Sequence, residues 1–263
     1  MSGFTLRLKQ APALRIDMRG VMPSADVQGL QVGYGNALVP LAELFNVTPR
    51  TDGKLVLEGD CSRCDRIGWQ MDGGTLIVEG DAGDYVGAGL RGGAITVRGH
   101  ARDLAACEMS GGVLTIEGSA GDFAASTLPG SMDGMRGGTL IVKGNVGERC
   151  GDRMRRGSVI VFGHSGDFLA SRMVAGTIAL GGRAGAHTGY GMRRGSIVFA
   201  GAAPAPSPTF VPAIAEVPVF WQLLARDLAQ HGGVFADLPS RRIDRQLGDL
   251  AVDGKGEWIV AHR

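Results

Sequence analysis

The sequence has very little net charge and no long apolar segment. Its 263 residues include 27 lysines and arginines and 26 aspartates and glutamates, which gives a formal net charge of +1 at pH 7. This balance argues against general nucleic-acid binding and against a membrane-surface role. No run of about 18 apolar residues is present, and residues Met1–Lys9 alternate as a strand does, without the apolar centre of a signal peptide. We therefore expect a cytoplasmic chain with no membrane span and no nucleic-acid partner.

Glycine, in contrast, is abundant and falls at regular positions. It makes up 44 of the 263 residues, and the phrase Gly-x-aliphatic-x-aliphatic-x-Gly occurs eight times, mostly every 19 residues. The first glycines of the phrase are Gly53, Gly74, Gly93, Gly112, Gly138, Gly157, Gly176 and Gly195. A fixed period near 20 residues is typical of a solenoid, in which each repeat buries its apolar face only against its neighbours. We expect glycine at these corners because positive φ is needed there.

Two aliphatic columns lie between the glycines. The first column is Leu55, Leu76, Ile95, Leu114, Leu140, Val159, Ile178 and Ile197, and the second is Leu57, Val78, Val97, Ile116, Val142, Val161, Leu180 and Phe199. Alternation with a period of two places both columns on one face of successive strands. The sequence therefore predicts an all-β chain, a parallel β-helix of about seven to eight coils with these side chains inside.

The residues on either side of the repeats lack the period. We expect residues 1–50 to form a small α+β cap, with a strand over Phe4–Leu8 paired to a strand near Ile16, and a short helix after Pro40. Residues 51–201 are the glycine-rich β-helix. Residues 202–263 form a linker and a capping extension, in which Phe220–Leu228 has helical spacing and Trp258–Val260 resembles a strand.

Two features of the repeats could create interfaces. The column between the two aliphatic ones faces outward yet is fairly apolar, for example at Ile77, Ile160 and Val198. Either β propensity or cover by another surface would explain that composition. One repeat is also seven residues longer than the usual 19, which predicts a loop around residues 126–131.

Cysteine and histidine are too scattered for a metal site. Cys61 and Cys64 form a CxxC, whereas Cys107 and Cys150 lie two and four coils further on, roughly 10 and 20 Å away at the strand spacing. Zinc needs all its sulfurs at about 2.3 Å. His100 and His164 share a column but are three coils apart. We predict no metal site and assign no catalytic residues.

An acidic column follows the second glycines. Its members are Asp65, Asp84, Asp103, Asp122, Glu148 and Asp167. Capping of backbone N–H groups in turns is the favoured explanation, since stacked like charges would otherwise repel. Pairing with arginines on a neighbouring corner comes second, and a pair of carboxylates for acid–base catalysis comes last.

Arginines gather in the later repeats. The chain has only four lysines, and its arginines cluster at Arg149, Arg153, Arg155, Arg156, Arg172, Arg183, Arg193 and Arg194. One interpretation is a solvated edge that partly neutralises the acidic column. The other is a strip that binds a polyanion, above all a chain of carboxylates, which arginine forks bind in a bidentate way.

The repeat resembles that of the C subunit of formylmethanofuran dehydrogenase. Its full phrase, Gly-x-x-Met-x-x-Gly-x-aliphatic-x-aliphatic-x-Gly, is found for example at Gly68–Gly80, Gly87–Gly99, Gly151–Gly163 and Gly189–Gly201. The segments Gly33–Asn36, Pro40–Phe45 and Phe220–Leu224 are similar to the same family. Ala106, Ala170, Met132 and Leu90 depart from the pattern. The right-handed β-helix of this family also forms the carboxy-terminal domain of the large glutamate synthase subunit.

The resemblance implies a role in one-carbon metabolism. We expect a non-catalytic subunit of a hetero-oligomeric complex that transfers or hydrolyses formyl groups on methanofuran-type carriers, received from a tetrahydromethanopterin carrier. Its partners would be sibling subunits, chiefly the formyltransferase subunit, and the chain alone would bind no cofactor. Arg155, Arg156, Arg193 and Arg194 are the candidates for holding the polyglutamyl tail of the carrier. The alternatives are a subunit of a redox-active molybdenum or tungsten formylmethanofuran dehydrogenase and a stand-alone β-helix enzyme.

Overall fold

The computed structural model describes residues 3–23, 26–27, 29–213 and 218–262. The predicted ranges 1–50 and 202–263 therefore include residues that lie outside the described part. The strands are β1 Gly3–Leu8, β2 Ile16–Asp17, β3 Gln31–Tyr34, β4 Ala37–Pro40, β5 Phe45–Arg50, β6 Lys54–Glu58, β7 Cys64–Asp65, β8 Asp72–Val78, β9 Gly92–Val97, β10 Ser110–Ile116, β11 Arg136–Val142, β12 Arg156–Val161, β13 Thr177–Leu180, β14 Ser196–Phe199, β15 Val211–Pro212, β16 Arg242–Gly248 and β17 Gly256–His262. The helices are α1 Leu41–Leu44 and α2 Pro218–Ala229, with 3-10 turns at Gly233–Phe235, Leu238–Ser240 and Leu250–Val252.

Strands dominate the described chain, which confirms the all-β class. The larger sheet has 13 strands in the order β15-β16-β17-β14-β13-β12-β11-β10-β9-β8-β6-β1-β5. In this sheet β6 and β8 to β13 each pair in parallel with the strand of the next repeat, while β7 belongs to the smaller sheet. Leu76 is opposite Ile95, and Ile95 is opposite Leu114, as expected for equivalent positions in successive repeats.

A second set of parallel contacts runs beside this sheet. It consists of single-residue bridges from Cys61 to Ala82 and onward through Ala101, Ala120, Val146 and Ser165. Each bridge joins the same position of adjacent repeats. The large sheet and this row of bridges therefore follow the same register from one repeat to the next.

The two aliphatic columns form the core. Every member of both columns is at most 1% exposed. Behind them lie methionines of the column three positions before the first glycines, including Met109, Met154 and Met192, which are 0% exposed. The first glycines have φ values from 69° at Gly53 to 108° at Gly176, which confirms the expected reason for glycine at those corners.

The outward column has two different environments. Ile77, Thr96 and Thr115 are only partly buried. In the last repeats Ile160, Ala179 and Val198 are at most 1% exposed because α2 packs on them through Trp221, Ala225 and Leu228. Cover by another surface, one of the two explanations left open, is therefore correct for these repeats, and the surface belongs to the same chain.

The amino-terminal pairing differs from the expectation. β1 pairs antiparallel with β5 and parallel with β6, whereas Ile16 lies in β2, which pairs with β3 and β7 of the smaller sheet. The expected pairing of the Phe4–Leu8 strand with Ile16 is wrong. Phe4 lies opposite Leu55 and Leu6 opposite Leu57, so β1 extends the aliphatic columns instead of forming a separate hairpin.

Candidate functional site

The corners after the acidic column bring arginines to the surface. At each corner the chain passes through left-handed backbone conformations, which cost an L-residue roughly 1–2 kcal/mol. Arg153 and Arg172 occupy such positions with φ of 55° and 54°. The equivalent positions in two other repeats are Gly89 and Gly191, both with φ of 67°. Arginine therefore stands where glycine would fit without strain.

These corners border a cleft of about 530 Å³, which we call the arginine cleft. Its lining residues are Met132, Arg153, Arg155, Arg172, Val174, Tyr190, Gly191, Arg193, Asp249, Ala251 and Val252. The cleft thus joins the long repeat, the last three repeats and the carboxy-terminal extension. Guanidinium groups donate hydrogen bonds and stay charged, so the cleft can bind anions, but its arginines cannot act as bases.

Arg172 is held by a buried carboxylate. Its Nε and Nη2 donate to Oδ1 and Oδ2 of Asp152 at 2.9 and 2.6 Å. Asp152 is 2% exposed, and its Oδ1 also accepts a hydrogen bond from Ser171 Oγ at 2.5 Å. This fork-to-fork geometry fixes the plane of the guanidinium group. The side chain of Arg172 nevertheless stays 42% exposed.

The other arginines of the cleft have different partners. Arg155 Nε pairs with Asp133 Oδ1 at 2.6 Å. Arg153 Nη1 lies 2.6 Å from the sulfur of Met132. Among the described residues, no carboxylate pairs with Arg153 or Arg193, so these two carry charge that the surrounding protein does not offset.

Asp249 places a carboxylate in the same cleft. It is 5% exposed, and its two oxygens accept hydrogen bonds from the backbone N–H groups of Gly191 and Ala251, both at 3.0 Å. Burial alone would raise the pKa of Asp249, but the hydrogen bonds from Thr209, Gly191 and Ala251 bring it below its usual value. Asp249 therefore ties the extension to the last repeat.

Of the four predicted site residues, Arg155 and Arg193 line the cleft. Arg156 and Arg194 are exposed but are not among its lining residues. Arg153 and Arg172 line it as well, although they were recognised only as members of the arginine cluster. The sequence signal for them is weak, because the same position is occupied by Gln70, Gly89 and Glu108 in earlier repeats.

The acidic column caps backbone N–H groups, as favoured from the sequence. In five of its six members the carboxylate Oδ1 accepts the N–H of the equivalent residue one repeat later: Asp65 from Asp84 (2.9 Å), Asp84 from Asp103 (3.3 Å), Asp103 from Asp122 (2.9 Å), Asp122 from Glu148 (2.7 Å) and Asp167 from Ala186 (2.7 Å). Pairing with arginine, the second explanation, also occurs, since Arg15 contacts both Asp65 and Asp84.

A second column of capping side chains was not predicted from the sequence. The side chains of Asp81, His100, Ser119, Asn145 and His164 accept the N–H of the residue one repeat later, at 2.7 to 3.0 Å. Each follows the second glycine of its repeat directly, and Asp, Ser and Asn are residue types that commonly cap turns. The two histidines accept through Nδ1, so they serve backbone capping. This capping role explains why His100 and His164 occupy the same position of their repeats.

The cysteines are buried thiols. The hydrogen bond with Cys61 and burial raise the pKa of Cys64 far above its usual range, and burial raises the pKa of Cys150 to about 12. The described residues contain no group of three or more potential metal ligands. In the same part of the chain, no helix has the length and apolarity that a membrane crossing requires.

The repeats match a known sequence pattern. A profile of the GXGXG motif fits residues 51–205, which is more than half of the chain. The chain belongs to the GXGXG motif family. The GXGXG region therefore contains both glycine columns, both capping columns and all four arginines of the cleft.

Two curated relatives of this GXGXG chain are informative. The C subunit of tungsten-containing formylmethanofuran dehydrogenase 2 from Methanothermobacter marburgensis is 33% identical over 34% of this chain and 37% of that protein. The C subunit of the formyltransferase/hydrolase complex Fhc from Methylorubrum extorquens is 40% identical over 30% of this chain and 32% of that protein. These alignments span about a third of the length of the curated relatives.

A solved structure matches over the whole length. A chain in the crystal structure of the formyltransferase/hydrolase complex FhcABCD from Methylorubrum extorquens, in complex with methylofuran, has a TM-score of 0.90 and 38% identity to this chain. The match covers 98% of this chain and 100% of that chain. The expected resemblance to the C subunit of formylmethanofuran dehydrogenase is thereby confirmed.

Proposed function

We propose that this chain is a non-catalytic subunit of a cytoplasmic complex that transfers or hydrolyses formyl groups on a methanofuran-type carrier. The observation that supports this proposal is the similarity to a chain of a formyltransferase/hydrolase complex, with 38% identity over 98% of this chain. Such an identity over a full chain favours a shared place in a shared assembly. The partners are then the sibling subunits of a hetero-oligomer, chiefly the formyltransferase subunit.

The architecture suited to this role is a right-handed parallel β-helix of about seven to eight coils. The parallel pairing of β6 to β14 supports it, as do the bridges that join Cys61 to Ser165 in equal steps. We divide the chain into a cap at residues 1–50, the glycine-rich helix at residues 51–201, and the linker and capping extension at residues 202–263. A solenoid of this kind offers long surfaces to partners.

In this assembly the later arginines hold the polyglutamyl tail of the carrier. The candidates Arg155 and Arg193 border the arginine cleft, and Arg156 and Arg194 are the residues next to them in the chain. Arginine forks suit carboxylates because two parallel N–H groups match the two oxygens. The carrier belongs to the complex, and the chain alone binds no cofactor.

The test is purification of the tagged chain from its native host. We expect the siblings to co-purify, and formyl transfer from a tetrahydromethanopterin carrier to the furan carrier to be found in the complex and not in the chain alone. Activity of the isolated chain would refute the non-catalytic role. Recovery of the chain without siblings would refute the assembly.

A second candidate is a subunit of a molybdenum or tungsten formylmethanofuran dehydrogenase. The relatives with those names in Methanothermobacter marburgensis, at 33% and 34% identity, favour it. Metal analysis of the co-purified complex separates the two functions. Stoichiometric tungsten or molybdenum would favour the dehydrogenase, whereas its lack with retained formyl transfer would favour the hydrolytic complex.

A further inference from the structure

The geometry points to a carboxylate-binding subsite in the arginine cleft that is anchored by Arg172, completed by Arg153 and Arg193, and positioned from behind by Asp152. The ligand class is an oligocarboxylate with apolar stems. This inference rests on the proposed function for the source of such a ligand, the γ-glutamyl tail of the carrier. It differs in its residues, because Arg156 and Arg194 have no part in the subsite.

Arg172 is the most preorganised group of the cleft. Asp152 binds its Nε and Nη2, which leaves three of the five guanidinium N–H groups free to donate. Because Asp152 is 2% exposed and Ser171 is 1% exposed, the support lies inside the protein while the fork reaches the cleft. A ligand that binds there does not have to order a flexible side chain first.

Backbone geometry brings two of the arginines close together. Arg153 and Arg172 have φ of 55° and 54°, a left-handed conformation that the repeat imposes at this position, since Gln70 and Glu108 have φ of 54° and 53° there. Arg153 and Arg172 lie on adjacent repeats, so their Cα atoms are separated by about one strand spacing, ~4.8 Å. This distance suits two neighbouring carboxylates.

The charge balance leaves a modest attraction for anions. Four guanidinium groups face three carboxylates, those of Asp133, Asp152 and Asp249. Asp249 accepts two backbone N–H groups, and Asp133 and Asp152 are each bound to an arginine. The unpaired positive charge therefore resides on Arg153 and Arg193, on either side of Arg172 in sequence.

The remaining walls select the ligand class. Met132, Val174, Tyr190 and Val252 present apolar surface between the arginines, and Met132 and Tyr190 are 68% and 60% exposed. A chain of carboxylates on methylene stems places its apolar parts against these residues and its charges on the forks. Inorganic phosphate offers no group for the apolar walls.

The experiment uses the full chain and a fluorescein-labelled γ-linked hexaglutamate, with binding followed by fluorescence polarisation at fixed salt. We expect Arg153→Gln/Arg172→Gln to weaken binding by about tenfold or more, since hydrogen bonds to charged groups are removed. The control Arg226→Gln/Arg242→Gln removes the same charge at two exposed arginines outside the cleft and should change Kd by less than about twofold. Equal losses for both pairs, or no loss for the first, would overturn the inference.

The positioning role of Asp152 has its own test. Asp152→Asn should weaken hexaglutamate binding in the wild-type background and change it little in the Arg172→Gln background, because Asp152 acts through Arg172. Arg172→Lys should fail to restore affinity, since a point charge lacks the fork. Thermal melts identify variants that fold. Additive losses among folded variants would show that Asp152 does not act through Arg172.

Two further arms separate this inference from the proposed function. Tripolyphosphate should compete more weakly than unlabelled hexaglutamate, and equal competition would overturn the carboxylate class. If the chain binds hexaglutamate but no sibling subunits co-purify with it, the subsite is supported and the proposed assembly is refuted. If siblings co-purify but the chain does not bind hexaglutamate, the assembly is supported and the subsite is refuted.

Discussion

The two ends of the large sheet are closed in the same way but to different extents. At the amino-terminal end β1 adds a parallel strand to β6 and β5 closes it antiparallel. At the carboxy-terminal end β17 adds a parallel strand to β14 and β16 closes it antiparallel. Among the described residues, α2 also covers the outward face at the second end, over Ile160, Ala179 and Val198, whereas Ile77 and Thr96 of earlier repeats are only partly buried. An antiparallel strand thus lies beyond the parallel strands at both ends, while the cover of the outward column differs along the sheet.

The largest effect should come from removing the aromatic side chain of the last strand. Trp258 is 2% exposed, lies opposite Ile197, and packs on Phe199 and Phe210 with ring centroids 5.3 and 4.7 Å away. We expect Trp258→Ala to lower the free energy of unfolding by about 3–5 kcal/mol. The matched change at the other end, Phe4→Ala, should lower it by about 1–2 kcal/mol because Phe4 is only partly buried. Urea denaturation measures both, and equal losses would contradict the difference between the ends.

The helix cover gives the next largest effect. Trp221→Ala removes a side chain of α2 that is 4% exposed and packs on the last strands, and we expect the free energy of unfolding to fall by about 2–4 kcal/mol. Leu223→Ala, on the face of the same helix that is 65% exposed, should change stability by less than about 0.5 kcal/mol. Hydrogen exchange should then show faster amides in β12–β14 and unchanged amides in β8–β10. Uniform acceleration across the sheet would mean that α2 does not protect the last strands locally.

The acidic column should show a smaller difference between the ends. Asp65 accepts an N–H at 2.9 Å and pairs with Arg15, whereas Asp167 accepts the N–H of Ala186 at 2.7 Å and has no ion pair with any residue that the structure describes. We expect Asp65→Ala to lower the free energy of unfolding by about 2 kcal/mol and Asp167→Ala by about 1 kcal/mol. Asparagine at either position keeps an acceptor and should restore part of the loss. An Asp167→Ala loss as large as that of Asp65→Ala would show that Arg15 adds nothing.

The thiols report which end opens first, with little effect on stability at neutral pH. Burial raises the pKa of Cys150 to about 12, so its protonated form stabilises the folded chain below the ordinary thiol pKa. This contribution is lost as the pH rises towards about 12, because only the unfolded chain ionises there. At pH 8 we expect a thiol reagent to modify the chain slowly, and Cys61 and Cys64 before Cys150, because α2 packs on β12–β14, at the end to which Cys150 is nearer. Simultaneous modification would indicate that the chain opens only as a whole.

Much of this molecule could be predicted from the sequence because its contacts repeat. Leu76, Ile95 and Leu114 carry the same pattern and lie opposite one another, and the phrase itself identifies the strands. The capping function of Asp84 and Asp103 also followed from their column. Equivalent positions of successive repeats have similar surroundings, so the residue types found at one position predict whether it is buried or caps a turn.

The site and the ends were harder to predict because they depend on unique contacts. The cleft forms where Met132 of the long repeat and Asp249 of the extension meet the later arginines, and no spacing in the sequence joins those segments. The hydrogen bonds between Arg172 and Asp152 depend on the left-handed conformation of the corners on which the two residues lie, and that conformation is not evident from the sequence. Ile16 pairs with Cys64 through the smaller sheet, a contact that local alternation does not indicate.

The long repeat carries a lesson about how such a chain can change its length. Seven additional residues separate Gly112 from Gly138, yet Leu114 still lies opposite Leu140 and Ile116 opposite Val142. Evolution or a protein engineer could therefore add a segment at this corner, or duplicate a whole 19-residue module, and keep the register of the strands on either side. One residue inserted within a strand would instead shift every later side chain to the wrong face.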